Sequence, residues 1–274
     1  MTITLPASRS LRLRVPSAAT VTFLLLNIVG LVAYLHPFVF ASASEADGEW
    51  FMHNTDGPLV VALVAGLCMV LVVATLTEGG LNSKSLAALG VLSALAAALR
   101  TITLPAGANL YFFLVILGGY SFGPRTGFLL GAISFFMSAL VTGGIGPWLP
   151  FQVFASAWMG WSAGMLRPVA LRAGIHGRPE IWLVVSFGIL WGLIFGAITN
   201  LWFWPFWVGG PDVSYQPGLG LQEALRRSWN FYLLTSFGWD LMRSICNAIV
   251  IGIVGGPLLK ALMRFHDRFH WERM

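Results

Sequence analysis

Thr142–Leu166 reads TGGIGPWLPFQVFASAWMGWSAGML. Its first part crowds Gly143, Gly144, Gly146, Pro147 and Pro150 around Trp148, a density of glycine and proline that breaks helices. From Phe151 onward the stretch is apolar over a length that suits lipid, and so is the run that precedes it, about 126–142. Two membrane-spanning helices joined by a rigid aromatic elbow is the reading that fits. It makes the chain an all-α polytopic bundle.

Composition agrees. The chain is 57% hydrophobic and 10% charged, with a mean hydropathy of +0.78, where a soluble domain carries about 25% charged residues. Twelve tryptophans in 274 residues suit a protein with two membrane interfaces. The net charge of +5 does not point to nucleic acid, because the basic residues are scattered over short loops. Cys68 and Cys246 both fall in apolar runs and read as small buried hydrophobes rather than a disulfide framework.

A span takes about 20 apolar residues. Working outward from the elbow, spans are expected near 19–37, 58–77, 85–103, 108–122, 126–142, 151–167, 181–205 and 231–259. With the N-terminus inside, the inner loops collect Arg9, Arg12, Arg14, Lys84, Arg125, Arg167, Arg172, Arg178, Lys260, Arg264, Arg268 and Arg273. The outer side keeps Arg100, Arg226 and Arg227, while Arg243 lies within the last span. This asymmetry obeys the positive-inside rule and places both termini in the cytoplasm of a multi-pass cell-membrane protein. The alternative at the N-terminus is a signal peptide cut after Ala43; a retained first span is the preferred reading. Loop 38–57 carries Glu45, Asp47, Glu49 and Asp56 as a solvated acidic face. Loop 207–230 is long and rich in Gly and Pro, with an amphipathic piece near Leu221–Trp229, as lids often are. No repeat of 20–50 residues is visible.

Several motifs tempt and are set aside. GYSFG, Gly119–Gly123, fits G-x-S-x-G, but it ends a membrane helix and no histidine lies in a neighbouring span to serve as base. His266 and His270 stand at i, i+4, a spacing that can hold zinc; with Asp267 and Glu272 as the only further donors, a basic aromatic interfacial tail is the stronger reading. No Walker A sequence is present, so the chain supplies no P-loop ATPase. No catalytic group, metal or cofactor is expected.

Two patterns carry more weight. Asp240, Arg243 and Asn247 share one face of the last span at i, i+3 and i+7, beside Trp239. Ionised groups in a membrane face the bundle interior and find partners, so these three are either a structural pair with an amide or the wall of a polar ligand cavity. Asn200, Trp202 and Trp204 close the preceding span and belong with the second alternative. The run ALGVLSALAAALR, Ala88–Arg100, spaces Gly90, Ala94 and Ala98 four apart. Such a small-residue stripe permits close helix approach, within the chain's own bundle or to a partner.

The ordered set ALAAALR (94–100), ILGGYSFGPRTGFLLGAISFFMSAL (116–140), TGGIGPWLPFQVFASAWMGWSAGML (142–166) and FGAITNLWFWPF (195–206) resembles the substrate-binding S components of energy-coupling factor (ECF) vitamin transporters. The resemblance runs over about 81–263, with the GPWLPFQ elbow and the FGPR turn as its specific parts. It implies a six-helix core that captures a vitamin-like small molecule from outside, with cobalamin or a precursor as the nearest group. It also implies an ECF coupling membrane protein and two ABC ATPases as partners, with the Gly90/Ala94/Ala98 face docking on the coupling protein. Residues 1–80, with two additional spans, depart from that pattern, and 264–274 form a tail on the cytoplasmic side. Given the resemblance, the elbow is expected to point Trp148, Phe151 and Gln152 into the mouth of an apolar cavity with a few placed polar groups. Trp202 and Trp239 would add aromatic walls, and Asn200, Asp240, Arg243 and Asn247 would orient the ligand. A stand-alone secondary transporter working through Asp240 and Arg243, and a non-catalytic membrane scaffold, are the alternatives.

Overall fold

The structure is a computed structural model that describes residues 16–40, 50–78, 83–104, 107–207, 209–216 and 218–270. The cleavage site after Ala43 and the acidic residues Glu45, Asp47 and Glu49 lie outside the described residues, as does Glu272. Among the described residues the chain is helical apart from turns and one isolated bridge, Thr103 to Asn109. The helices are α1 (Ala18–Phe40), α2 (Trp50–Thr77), α3 (Ser83–Thr101), α4 (Phe112–Phe122), α5 (Pro124–Thr142), α6 (Leu149–Arg172), α7 (Arg178–Phe203), α8 (Leu221–Thr235) and α9 (Phe237–His270). Five of them, α1, α3, α5, α7 and α9, are long and apolar enough to cross a membrane. This is a polytopic helical membrane bundle.

The eight expected runs fall within helices α1–α7 and α9, with different bounds: α2 begins at Trp50, inside the loop expected at 38–57, and α9 runs on to His270, through most of the expected tail. Helix α4 has 11 residues, about 17 Å against a hydrocarbon core of about 30 Å. It survives at that length because every residue from Phe112 to Ser121 is buried among its neighbours, so none of its backbone meets lipid. The last span begins at Phe237 rather than 231, since the helix breaks at Ser236 (φ −125°, ψ −27°). Gly238 follows, a residue that resists helix on its own account.

The tightest contact is the crossing of α5 and α6, made by glycines on both sides. A Cβ on Gly127 of α5, or on Gly119 of the neighbouring α4, would run into the Gly160 carbonyl, one on Gly160 into the Gly127 carbonyl, and one on Gly131 into the Ser156 carbonyl. Where lipid removes the hydrophobic drive between helices, such backbone proximity maximises dispersion contact. Tyr111 locks the crossing from within. Its buried hydroxyl hydrogen-bonds the Gly131 carbonyl at 3.0 Å, and Ser134 and Ser156 from the two helices.

Helices α1 and α2 pair and lean on α6. Gly30 sits under the Phe154 ring, Trp158 Nε1 donates to Asn27 Oδ1 at 2.9 Å, and the Tyr34 hydroxyl donates to the Phe151 carbonyl at 2.6 Å. At the opposite end, Arg125 donates to the Thr20 hydroxyl and Glu78 accepts the Ala19 amide.

Helix α8 is amphipathic in the way the sequence suggested. Phe231 and Tyr232 face inward, while Leu221, Leu225, Trp229 and Leu233 form an exposed stripe at four-residue spacing. Its other side carries Glu223, whose carboxyl is held down to about 2 by hydrogen bonds from Arg226 and then Arg227. An apolar stripe beside a charged face suits the plane of a membrane interface. In reconstituted protein lacking Cys68 and Cys246, a spin label at Leu225→Cys is expected to collide mainly with oxygen, and one at Arg226→Cys mainly with a water-soluble nickel chelate. Equal collision profiles at the two positions would place α8 in solvent.

Candidate functional site

The elbow is as rigid as its composition requires. Gly143 caps α5 at φ 67°, a left-handed conformation natural to glycine, and the Gly144 amide returns to the Ala139 carbonyl at 2.9 Å. The Trp148 ring lies back over Gly146, where a Cβ would overlap it, and its Nε1 donates to the Gly144 carbonyl at 3.3 Å. The indole is 39% exposed. Phe151, one turn into α6, is buried and stacks on Trp202 of α7, with ring centroids 5.1 Å apart and planes within 9°. Gln152 beside it is half-buried.

At the same end of the bundle, Trp204 is buried and donates through Nε1 to the Val213 carbonyl at 2.7 Å. Asn200 bonds the Ser236 hydroxyl at 2.8 Å, tying the end of α7 to the break between α8 and α9. Trp239 is 57% exposed and borders Gly107 in the α3–α4 loop.

Asp240, Ser244 and Asn247 form a polar ladder on α9 that faces a glycine ladder on α7. Space for the Asp240 carboxylate exists because residue 196 is glycine, and space for Ser244 because residue 192 is. Asn247 Nδ2 donates to the Gly188 carbonyl at 2.9 Å and the Ser244 hydroxyl to the Ile189 carbonyl at 2.8 Å. Arg243 pairs with Asp240 and donates to the Gly192 carbonyl at 3.1 Å. Its guanidinium also lies over Phe112 and Phe195, 5.0 and 5.1 Å from the ring centroids. Every donor named here reaches an α7 carbonyl or a carboxylate, so these side chains join the two helices.

The expected site residues therefore fall into separate groupings: the elbow with the Phe151–Trp202 stack, Asn200 at the α8–α9 break, Trp239 over the α3–α4 loop, and the α7–α9 ladder. Reading by sequence missed Arg100, Phe112, Phe135 and Phe195, which the fold gathers beside them. The charge count leaves Arg100 on the outer side, although it falls within the expected span 85–103. Its position on α3 was the available signal, since it continues the buried face of Leu89, Ser93, Ala96 and Ala97 by a further turn.

The expected partner stripe lies on the other side of α3. Gly90, Ala94 and Ala98 are exposed, and nothing lies within 4 Å of a Cβ on Gly90. Toward the opposite end of the bundle this face runs into an apolar groove of about 500 Å³, lined by Ala87, Val91, Phe122, Leu262 and Phe265. Two smaller cavities lie between α2, α5 and α6 (about 250 Å³) and between α7 and α9 (about 230 Å³).

The rejected motifs have structural uses. Ser121 of GYSFG is fully buried, and its carbonyl accepts from Arg167 at 3.1 Å. Gly123 makes the turn into α5 at φ 91°. His266 meets the Phe122 ring edge-on at 5.7 Å. Among the described residues no group of three or more His, Cys, Asp or Glu is gathered to hold a metal.

A bundle of apolar helices with an aromatic elbow, a polar ladder at one helix pair and an exposed small-residue face defines a polytopic helical membrane protein. A family model described as the substrate-specific component of ECF transporters matches residues 84–255, and the chain belongs to that family. Such components bind small substrates and work with ECF membrane and ATPase modules. No curated protein and no solved structure matches the chain.

Proposed function

We propose that this chain captures a vitamin-like micronutrient, a corrinoid such as cobalamin or a precursor, from outside the cell. An ECF coupling membrane protein and two ABC ATPases then drive its delivery inward. The observation that carries the capture role is the family match, which begins in α3 and ends in α9; the corrinoid rests on the sequence resemblance alone. Residues 81–263 are taken as the six-helix substrate-binding core, 1–80 as an added two-helix unit and 264–274 as the tail, with both termini cytoplasmic. The ligand enters at the elbow end, whose separate groupings hold Trp148, Phe151, Gln152, Asn200, Trp202 and Trp239, and loop 207–230 or the elbow gates it. Bare Gly90, Ala94 and Ala98 with the groove beside them supply the docking face for the coupling protein, since exposure of small residues to lipid serves no packing purpose of the chain's own.

The test is purification in detergent, absorbance and mass spectrometry of whatever accompanies the protein, and titration of a vitamin panel that includes cobalamin and cobinamide. A tightly bound corrinoid is expected, and Trp148→Ala and Gln152→Ala are each expected to weaken it by about tenfold. Binding of a different vitamin keeps the capture role and removes the corrinoid. Absence of binding, with uptake that follows an ion gradient and ignores ATP, would favour a stand-alone secondary transporter.

A further inference from the structure

Two arginines reach the interior at the elbow end of the bundle, and they are compensated differently. Arg243 has Asp240. Arg100 is half-buried, donates to the Ser138 hydroxyl at 2.9 Å and lies over the Phe135 ring at 4.0 Å. Among the described residues no carboxylate pairs with it. Phe135 is buried and connects inward to Phe195, at a centroid distance of 6.0 Å, and Phe195 lies under Arg243. The two cations thus bracket a cluster of Phe112, Phe135 and Phe195, and Asp240 pairs with Arg243 alone.

Neither ring nor hydroxyl neutralises Arg100. Cation–π attraction and one neutral hydrogen bond return part of the hydration that a guanidinium loses on burial, and leave its full charge in place. A partly buried cation at a span end, with no carboxylate partner among the described residues, is a place where an anionic ligand can pair. The guanidinium is a planar fork that suits carboxylate and phosphate alike. Ser138 lies on α5 little more than a turn before Gly143, so this cation stands beside the elbow.

We infer that Arg100 is the anion-binding residue of the substrate site, and that the substrate carries a carboxylate or a phosphate ester received above Phe135. This rests on the substrate-capture reading above and narrows the ligand to an acidic one. Phospholipid headgroups present the same phosphate chemistry, so the experiment must separate the two sources.

Purified protein in a maltoside detergent is titrated with matched pairs that differ in the acidic group: nicotinate and nicotinamide, pantothenate and pantothenol, biotin and its methyl ester, cobinamide phosphate and cobinamide. The acidic member of one pair is expected to bind about 10- to 100-fold more tightly than its neutral partner. Arg100→Gln is expected to remove that difference while leaving the neutral member's affinity unchanged, and Arg100→Lys to restore part of it. If Arg100→Gln does not fold, the Lys variant and the wild-type pair ratios carry the test. A neutral member that binds as tightly as its acid overturns the inference and leaves substrate capture standing. So does an Arg100→Gln effect confined to thermal stability in phospholipid nanodiscs, absent in maltoside, which would assign the cation to a lipid phosphate. If no panel member binds wild-type protein, both readings fall.

Discussion

Gly160→Leu is expected to leave no monodisperse protein after detergent extraction, whereas Gly90→Leu yields the wild-type elution profile. Residue 160 sits where α6 crosses α5. Its Cβ would overlap the Gly127 carbonyl, with the Val115 side chain 3.2 Å away on a third helix. Overpacking a side-chain core costs about 1–3 kcal/mol because neighbours can turn aside. Here the obstacle is backbone that is itself hydrogen-bonded within a helix, so relief requires moving α5 off α6. That displacement would also pull apart the Tyr111 contacts to Gly131, Ser134 and Ser156. A loss above about 4 kcal/mol is expected, the range reserved for disruption of a specific packing device. Gly90 has nothing within 4 Å of a Cβ, so leucine there is tolerated by the isolated chain and obstructs only what docks against α3. Size-exclusion chromatography with thermal unfolding checks both. A folded Gly160→Leu protein would mean that α5 and α6 can separate without loss of the bundle.

The helical apolar runs, the turn at Gly123 and the elbow after Gly143 were legible because each depends on local properties: length of apolar run, missing hydrogen-bond donors, a conformation that glycine alone adopts freely. The break at Ser236 was not, since the polar residues of 231–259 are spread along a mostly apolar run without marking a boundary, and Phe231 and Tyr232 are buried on the α8 side of the break. Asp240, Arg243 and Asn247 were recognisable as costly groups needing partners. Their partners, the carbonyls exposed along Gly188, Gly192 and Gly196, were not recognisable, because a glycine in a span announces proximity without saying to what. Arg100 shows the same limit from the other side. A charge at the end of a span looks like a loop residue until the helix phase from Leu89 through Ala96 turns it inward. Phe135 and Phe195 carry no signal at all in a chain with 20 phenylalanines; only the fold distinguishes rings under a guanidinium from rings in lipid.

Asp240→Ala is expected to destabilise the protein by about 3–5 kcal/mol, and the double substitution Asp240→Ala with Arg243→Met to recover most of that loss. The reason is asymmetry. Asp240 is 1% exposed, and removing it strands the Arg243 guanidinium with the Gly192 carbonyl and two aromatic rings but no countercharge. Breaking a buried pair from one side carries that penalty, while replacing both members by apolar groups of similar volume is often neutral. Methionine keeps the contacts with Phe112 and Phe195, and its sulfur suits aromatic neighbours. Ser244 and Asn247 still hold α9 to α7 through Ile189 and Gly188, so the helix pair does not depend on the charges alone. The double variant then separates the two roles that the sequence left open. If it folds and binds the ligand as the wild type does, Asp240 and Arg243 are a structural pair and the ligand's polar contacts lie nearer the elbow, at Arg100 and Gln152. If it folds with wild-type stability and binding is lost, the pair faces the ligand, and Arg100 and Arg243 grip it from opposite sides of the Phe135–Phe195 cluster. Thermal unfolding without ligand, followed by titration of the same preparation, reads both outcomes from one sample.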